Sequence, residues 1–577
     1  MPTKTHTRQI GLLVPLITLL AAIYLLTYSA DIESGDALQF FDAVSSQVRF
    51  GDWLLDESWF QGRSFYTASN GPLPLKTLYT ERLHIIAAMP LYLLADAIPW
   101  VGYVHAVWLF NGIVSIATCV LLYGLVRALG YEARTALLTA LALGLCTMVW
   151  VYSKTFFRGP LAMLCITGAA YALHLWRTGG YLAGWRAALR LIVALLCILG
   201  AVLTKTSALV ALPALLIVAL PNIAGDKRSI SLLSLLGLAL LLLGTLAIVY
   251  LDPVYALFEQ ILQWQPFISI NSTSTTYIRE ALHAYLFSIG GSIWGTSPIL
   301  LLALYGAWRL LKANQGRWLW VGVLLLLAYA YGHALLTESH WFGGLSWPPR
   351  FLLPTLPLLT LLLAPALDAL WQVQRRGLLY AVFGLIVLYS VWVQFNGVAL
   401  QFAQYGYVLP TEANGVLSWS AGMNNLAYLR WVLLPGLWDS VAFDFAWVRA
   451  GYPAFGVALM GLALVSVAML WRHLRKPQPH PLNPPLQTRE LLSRQVIVAL
   501  LLSLALILVL LAGLRALYAE DGLSWGRKDA LHDVLDVLRD EAQAGDVVVL
   551  ADPAYHRFVL NYNDLPDVRF ITLEHQP

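Results

Sequence analysis

Apolar residues in this chain gather into thirteen long runs, near 10–29, 103–126, 135–150, 159–176, 188–203, 207–220, 230–250, 291–308, 318–336, 351–371, 378–396, 452–471 and 495–514. A helix of about 20 apolar residues crosses the hydrocarbon core of a bilayer, and shorter ones cross a thinner or locally deformed part of it. The pattern therefore predicts an all-α polytopic membrane protein of about thirteen transmembrane helices. The connections alternate in charge. Placing the N-terminus inside puts more than half of the 36 Lys and Arg residues in the inner connections, from Lys4 and Arg8 through Arg127, Arg134, Arg186 and Arg309 to Arg489 and Arg494. Only Glu132, Asp226 and Glu490 accompany them. Basic residues mark the cytoplasmic side, which predicts an N-in, C-out chain.

Composition narrows the classes. With 59% apolar and 12% charged residues in 577, the chain lies outside the range of soluble globular proteins. Its net charge of +4 comes from topological markers and forms no nucleic-acid-binding face. The first run follows Lys4 and Arg8 as a signal peptide would, but it is long and Tyr28 stands where a small residue should precede cleavage. An uncleaved helix is expected. Cys119, Cys146, Cys165 and Cys197 all fall inside apolar runs, which predicts packing roles and neither disulfides nor a cysteine metal site.

The outward segments are the large ones. Residues 30–102 form a first external loop rich in acids, and residues 251–290 and 397–451 are the next longest. The long inner connection carries the Pro-rich stretch KPQPHPLNPPL, an extended linker. Trp150, Trp176, Trp308, Trp392 and Trp471 lie near run ends, as interfacial anchors do. Leu38, Phe41, Val44 and Val48 recur at helical spacing, with Gln39, Asp42, Ser46 and Arg49 elsewhere around the helix, predicting a helix along the membrane surface. Leu83–Pro99, interrupted by Pro90 and Asp96, predicts a re-entrant or interfacial helix, because one more span would break the charge alternation. Two domains follow: a membrane domain over 1–515 and a small external α/β tail over 516–577. In the tail an amphipathic helix is expected over 528–543 and strands over Val547–Leu550 and Val568–Thr572.

Asp36 begins the chemistry. It follows the first run in Ser34-Gly35-Asp36, and Gln39 stands three residues on, which is a capping-box pattern with the carboxylate accepting helix N–H bonds. Asp42 falls six residues on, about 240° around a helix, so the two carboxylates do not converge from this helix alone.

Several stretches, together with the topology, resemble GT-C glycosyltransferases, and within them the bacterial aminoarabinose transferase and protein O-mannosyltransferase families. Ser34-Gly35-Asp36 with Gly51-Asp52 resembles their acidic first-loop motif, and Met89-Pro90-Leu91-Tyr92 the apolar segment that closes the loop. Tyr152-Ser153-Lys154-Thr155-Phe156-Phe157 resembles the outer end of their third helix. Gly343-Gly344 through Pro348-Pro349-Arg350-Phe351-Leu352-Leu353-Pro354 resembles their Gly-Gly…Pro-Arg-Tyr-Leu-Leu-Pro stretch. One departure stands out: Ala37 follows Asp36 where the family usually has an Asp-Glu pair, so the likeness does not extend to a two-carboxylate metal site there.

The resemblance implies sugar transfer, with inversion, from a polyprenyl-phosphate-linked donor to a lipid, glycan or protein acceptor at the outer face of a bacterial cytoplasmic membrane. It casts Asp36 as the base that takes the acceptor's proton, and it calls for cations on the departing phosphate. Arg350 is the candidate best supported by motif, with a guanidinium suited to bidentate phosphate binding or, structurally, to a pair with Glu338. Lys205 lies between two runs with almost no loop, either snorkelling to the outer headgroups or meeting the carrier's phosphate. Lys154, Arg158 and Arg82 mark further outer edges, and Glu81 precedes Arg82. Glu338 and His340, with Glu81 and Asp42, are the residues from which a divalent metal site would be drawn, if there is one; a solvated loop is the alternative for the first two. Tyr66, Tyr79 and the tryptophans of the outer loops are candidates for stacking on sugar rings or for anchoring. The rival readings are a secondary transporter, against which the nearly charge-free runs and lack of repeats count, and a non-catalytic membrane assembly protein.

Overall fold

The computed structural model describes residues 4–32, 34–49, 51–53, 81–179, 184–220, 243–245, 248, 251–254, 256, 272–288, 290–313, 315–337, 341–344, 346–372, 377–399, 443–475, 488–520, 537, 541, 543, 545–550 and 569–572. The readings for Glu338, His340, Tyr66, Tyr79, most of the 230–250 run, the Pro-rich linker and most of the 528–543 helix lie outside these residues.

The apolar runs are helical over most of their described residues, and further helices lie between them. In chain order they begin with α1 (Lys4–Leu26), α2 (Gly35–Arg49) and α3 (Leu83–Ala97). Next come the short α4 (Tyr103–Val107), α5 (Leu109–Ala128), α6 (Ala133–Cys146), α7 (Val149–Ser153), α8 (Gly159–Thr178) and α9 (Gly184–Thr204). A 3₁₀ turn over Thr206–Ala211 leads into α10 (Leu212–Ala219). The second half holds α11 (Ser272–Leu286), α12 (Ile293–Thr296), α13 (Leu301–Lys312) and α14 (Arg317–Leu336). A 3₁₀ segment Arg350–Thr355 opens a broken span continued by α15 (Leu356–Thr360), a 3₁₀ turn Leu361–Leu363 and α16 (Ala364–Gln372). The last helices are α17 (Gly377–Ala399), α18 (Ala446–Arg449), α19 (Pro453–Arg475) and α20 (Thr488–Glu520). Among the described residues seven helices are long and apolar enough to cross a membrane.

The peripheral helices are inverted relative to those of a soluble protein. On α9 the buried positions are Ala187, Ala194, Gly200, Ala201 and Thr204, none of them a large apolar residue, while Leu189, Ile192, Leu195, Leu196 and Leu199 stand exposed. An outward face richer in leucine than the inward one has no solvent to suit it except lipid, and close helix contact there depends on small residues. The contact with α8 is reciprocal. Gly168 of α8 faces Cys197 of α9, and Gly200 of α9 faces Cys165 of α8, each glycine leaving room for the opposing sulfur. The cysteines are packing residues, as their positions in the runs predicted.

The span beginning at Arg350 lies at the centre of the bundle, with 89% of its most apolar window buried in protein. Pro354, Pro357 and Pro365 interrupt its helix. Lipid does not tolerate such breaks, whereas a protein interior can supply substitute partners and close packing. Gly306 of α13 makes this possible on one side, because a side chain there would collide with the Leu362 carbonyl of the 3₁₀ turn.

One expectation for the first loop changes. The α2 helix carries its predicted stripe, but it is sunk into protein against α3: Leu38 and Val44 are buried, and so are Asp42, Ser45 and Ser46. Asp42 therefore does not sit on a wet face. Neighbours on more than one side of α2 bury its polar arc, with Ser45 meeting the Tyr92 hydroxyl at 3.1 Å and Ser46 donating to Asp52 at 2.7 Å. The α3 helix has 15 residues, about 22 Å, which is short of a full crossing. Trp150 is also no interfacial anchor. It is buried, and its indole N–H donates to Thr27 Oγ1 at 3.0 Å. In the tail, Val547–Leu550 and Arg569–Thr572 pair as a parallel two-stranded sheet, Val547 opposite Arg569.

Candidate functional site

Five segments deliver side chains to one cleft at one end of the bundle. Its lining consists of Asp36 and Phe40 from α2, Tyr152 of α7, Phe157 and Arg158 before α8, Gly159, Lys205, and Arg350, Phe351 and Leu353 of the broken span. Each arrives for a local reason. Ser34 caps α2, its Oγ accepting the Ala37 N–H at 3.2 Å. Asp36 is thus released from the capping role that Asp36-x-x-Gln39 suggested, because a serine two residues earlier already serves the N–H groups. Lys205 is an extended residue (φ −154°, ψ 115°) between α9 and the 3₁₀ turn, and this break turns its side chain away from the lipid-facing run.

Arg350 rests on a turn built for it. Gly343 and Gly344 both have positive φ, and a Cβ at Gly343 would fall 2.6 Å from the Arg350 Nε. The turn is held by Tyr285, whose hydroxyl donates to the Trp341 carbonyl, and by Tyr152, whose hydroxyl donates to that of Trp347. Trp341 and Trp347 are each 1% exposed, so these tryptophans of the outer loop belong to the core and do not stack on a ligand.

The cleft holds three cations and one accessible carboxylate. Arg350 Nη1 lies 2.8 Å from Asp36 Oδ2, with the aspartate side chain 45% exposed and the arginine 18%. Glu81 is consumed structurally. One of its oxygens accepts the backbone N–H and hydroxyl of Thr206 at 2.7 and 2.9 Å, and the other pairs with Arg158. Glu81 adopts φ +62° to do so, a strained conformation that persists only where surrounding contacts impose it. Burial lowers the Arg158 guanidinium to about 10, with Asp36 opposing and Arg350 adding to the shift. Lys205 is held well below its ordinary value by burial first and then by Arg158 and Arg350, with Asp36 opposing. The cleft also faces the start of the 20-residue α8, whose N-terminal dipole adds positive potential. Crowded cations of this kind are relieved by an anion.

The other candidates lie elsewhere. Lys154 does not line the cleft. It is buried, and its amine sits 3.0 Å from Asp444, which also accepts from Arg449 at 2.7 Å. Arg449 reaches the Ser29 carbonyl as well, so this cluster ties the ends of α1, α7 and α18 together. Arg82 lies over the Trp53 ring at 4.4 Å, outside the lining, and Asp42 is buried away from it. Sequence reading missed Phe40, Phe157 and Phe351 as site residues, since apolar residues at run ends carry no chemical signal. Among the described residues no group of three His, Cys, Asp or Glu could hold a metal ion. Asp36, the carboxylate of the lining, is engaged by Arg350, and Glu81 beyond it by Arg158, whereas a hard divalent cation wants several free oxygen ligands. The described lining does not fit one.

No family model matches the chain, and no curated protein matches it. Among solved structures it is similar to ArnT from Cupriavidus metallidurans bound to undecaprenyl phosphate, at 14% identity and a TM-score of 0.41, over 97% of this chain and 86% of that one. It is also similar to the Archaeoglobus fulgidus oligosaccharyltransferase in its apo form, at 13% identity and a TM-score of 0.32. A third likeness is to the archaeal oligosaccharyltransferase AglB from Archaeoglobus fulgidus with an inhibitory peptide and a dolichol-phosphate, at 14% identity and a TM-score of 0.31. The match takes in all or nearly all of this chain but only 65% and 64% of those two.

Proposed function

We propose that the protein is an integral-membrane glycosyltransferase. It moves a sugar, with inversion, from a polyprenyl-phosphate-linked donor to an acceptor hydroxyl on a lipid, glycan or protein. The cleft would face outward from a bacterial cytoplasmic membrane. One observation carries this reading: Asp36, Arg158, Lys205 and Arg350, drawn from distant parts of the chain, border a single cleft at the ends of apolar helices. A carrier lipid's phosphate sits at that depth.

In this mechanism Asp36 accepts the acceptor hydroxyl's proton as the new C–O bond forms. The bond from the anomeric carbon to the phosphate oxygen breaks, and its electron pair stays on the phosphate. Arg350, Lys205 and Arg158 bind that phosphate before and after the step, and they stabilise the charge that grows on the leaving oxygen. Arg350 bridges the two halves, since it touches the base and has further N–H donors for the phosphate.

Radiolabelled sugar transfer from purified polyprenyl-phosphate donors to acceptor extracts, with and without chelator, tests the reading. Transfer that requires the lipid-linked donor and survives chelation is the expected result. Carrier-independent uptake of labelled solute into vesicles, without transfer, would instead establish a transporter.

A further inference from the structure

Every cation of the cleft stands over an aromatic ring. The Lys205 amine lies 4.6 Å from the centre of Phe351, and the Arg350 guanidinium carbon 5.0 Å from the same centre. Arg350 is also 4.9 Å from Phe157, and Arg158 is 4.5 Å from Phe40. Phe351 serves two cations, and its plane is fixed by a parallel stack on buried His333, with centroids 4.4 Å apart and planes at 7°.

Lys205 makes this arrangement informative. An ammonium on a flexible stem at the edge of a membrane ordinarily reaches outward for water. This one stays in the cleft beside two guanidinium groups that repel it. Among the described residues no carboxylate forms an ion pair with it. The attraction at contact distance is the negative face of the Phe351 ring, with Asp36 adding a weaker pull from further away. A carboxylate partner would neutralise the amine and occupy its N–H donors. A ring face leaves those donors open for an arriving anion, whose negative charge would also offset the repulsion from the two guanidinium groups.

We propose that Phe351 is a positioning residue that holds Lys205 and Arg350 side by side, preassembling the grip on the donor's phosphate. This rests on the transferase reading and adds to it which part of the site sets donor affinity. Loss of the ring would show first in binding of the phosphate lipid, which is read apart from the chemical step.

The test uses the full-length protein in nanodiscs and two probes, undecaprenyl phosphate and its neutral alcohol undecaprenol. The wild-type protein is expected to prefer the phosphate lipid. Equal binding of both probes would end the transferase reading itself. Given that preference, Phe351→Leu is expected to weaken phosphate-lipid binding by about 3- to 30-fold, the worth of a desolvated cation–π contact. Phe351→Tyr should stay within about twofold, since its ring keeps the negative face. If Phe351→Leu does not fold, Phe351→Met carries the same comparison, with similar bulk and no ring. Lys205→Met should lose a comparable amount, and Phe351→Leu with Lys205→Met should lose no more than the worse single change, because the two residues act as one. Unchanged binding in the ringless variant, or losses that multiply in the double variant, would overturn the proposal.

Discussion

Asp36→Asn is expected to lower sugar transfer by roughly 10²–10⁴-fold, the usual contribution of a positioned general base, while the protein still folds and inserts. The two states separate cleanly in this cleft. Asparagine is nearly isosteric and still accepts a hydrogen bond from Arg350, whose guanidinium now lies 2.8 Å from the carboxylate. What disappears is the ability to take up a proton. The substitution also removes the accessible negative charge from among three cations, so donor binding should hold or tighten. Single-turnover transfer at saturating donor reads the chemical step, and lipid binding reads the other. Transfer within about threefold of wild type would exclude Asp36 as the base and leave its pairing with Arg350 as a structural tie.

The second large effect is on stability. Lys154→Met is expected to destabilise the protein by about 3 kcal/mol, the low end for breaking a buried ion pair, because Arg449 still serves Asp444 at 2.7 Å. Adding Asp444→Leu to Lys154→Met should not restore wild-type stability, since Arg449 would then lose its own buried partner. The thermal midpoint in detergent reads both. Donor affinity of the folded Lys154→Met protein should be unchanged, because the amine is sealed against Asp444 and the cleft lining does not include it. A selective loss of donor binding at normal stability would instead make Lys154 a phosphate ligand.

Much of the helical scaffold was legible in the sequence, because lipid imposes one rule on every segment. Run length and apolarity located α5, α8, α9, α14, α17 and α19 without any knowledge of neighbours. The same rule is blind to partners that only the folded chain supplies. Lys154 reads as an outer-edge cation because Asp444 lies 290 residues away. Asp36 reads as a cap because Ser34, two positions earlier, offers the same chemistry and wins. Trp150 reads as an anchor until Thr27 meets its indole. The candidate site was half legible. Asp36, Lys205, Arg158 and Arg350 were visible as charges at run ends, where desolvation makes a charge conspicuous. The phenylalanines beneath them were invisible, since in a chain of this composition another aromatic residue is no signal at all.

The four native thiols lie within the helical bundle, with Cys119 and Cys146 buried and Cys165 and Cys197 turned to glycines across a helix pair. A charged, water-borne maleimide has little access to sulfur in such places. The wild-type chain can therefore serve as its own silent background for site-directed labelling. A lone cysteine introduced at the rim of the cleft would then report, in intact cells, which compartment the cleft opens to.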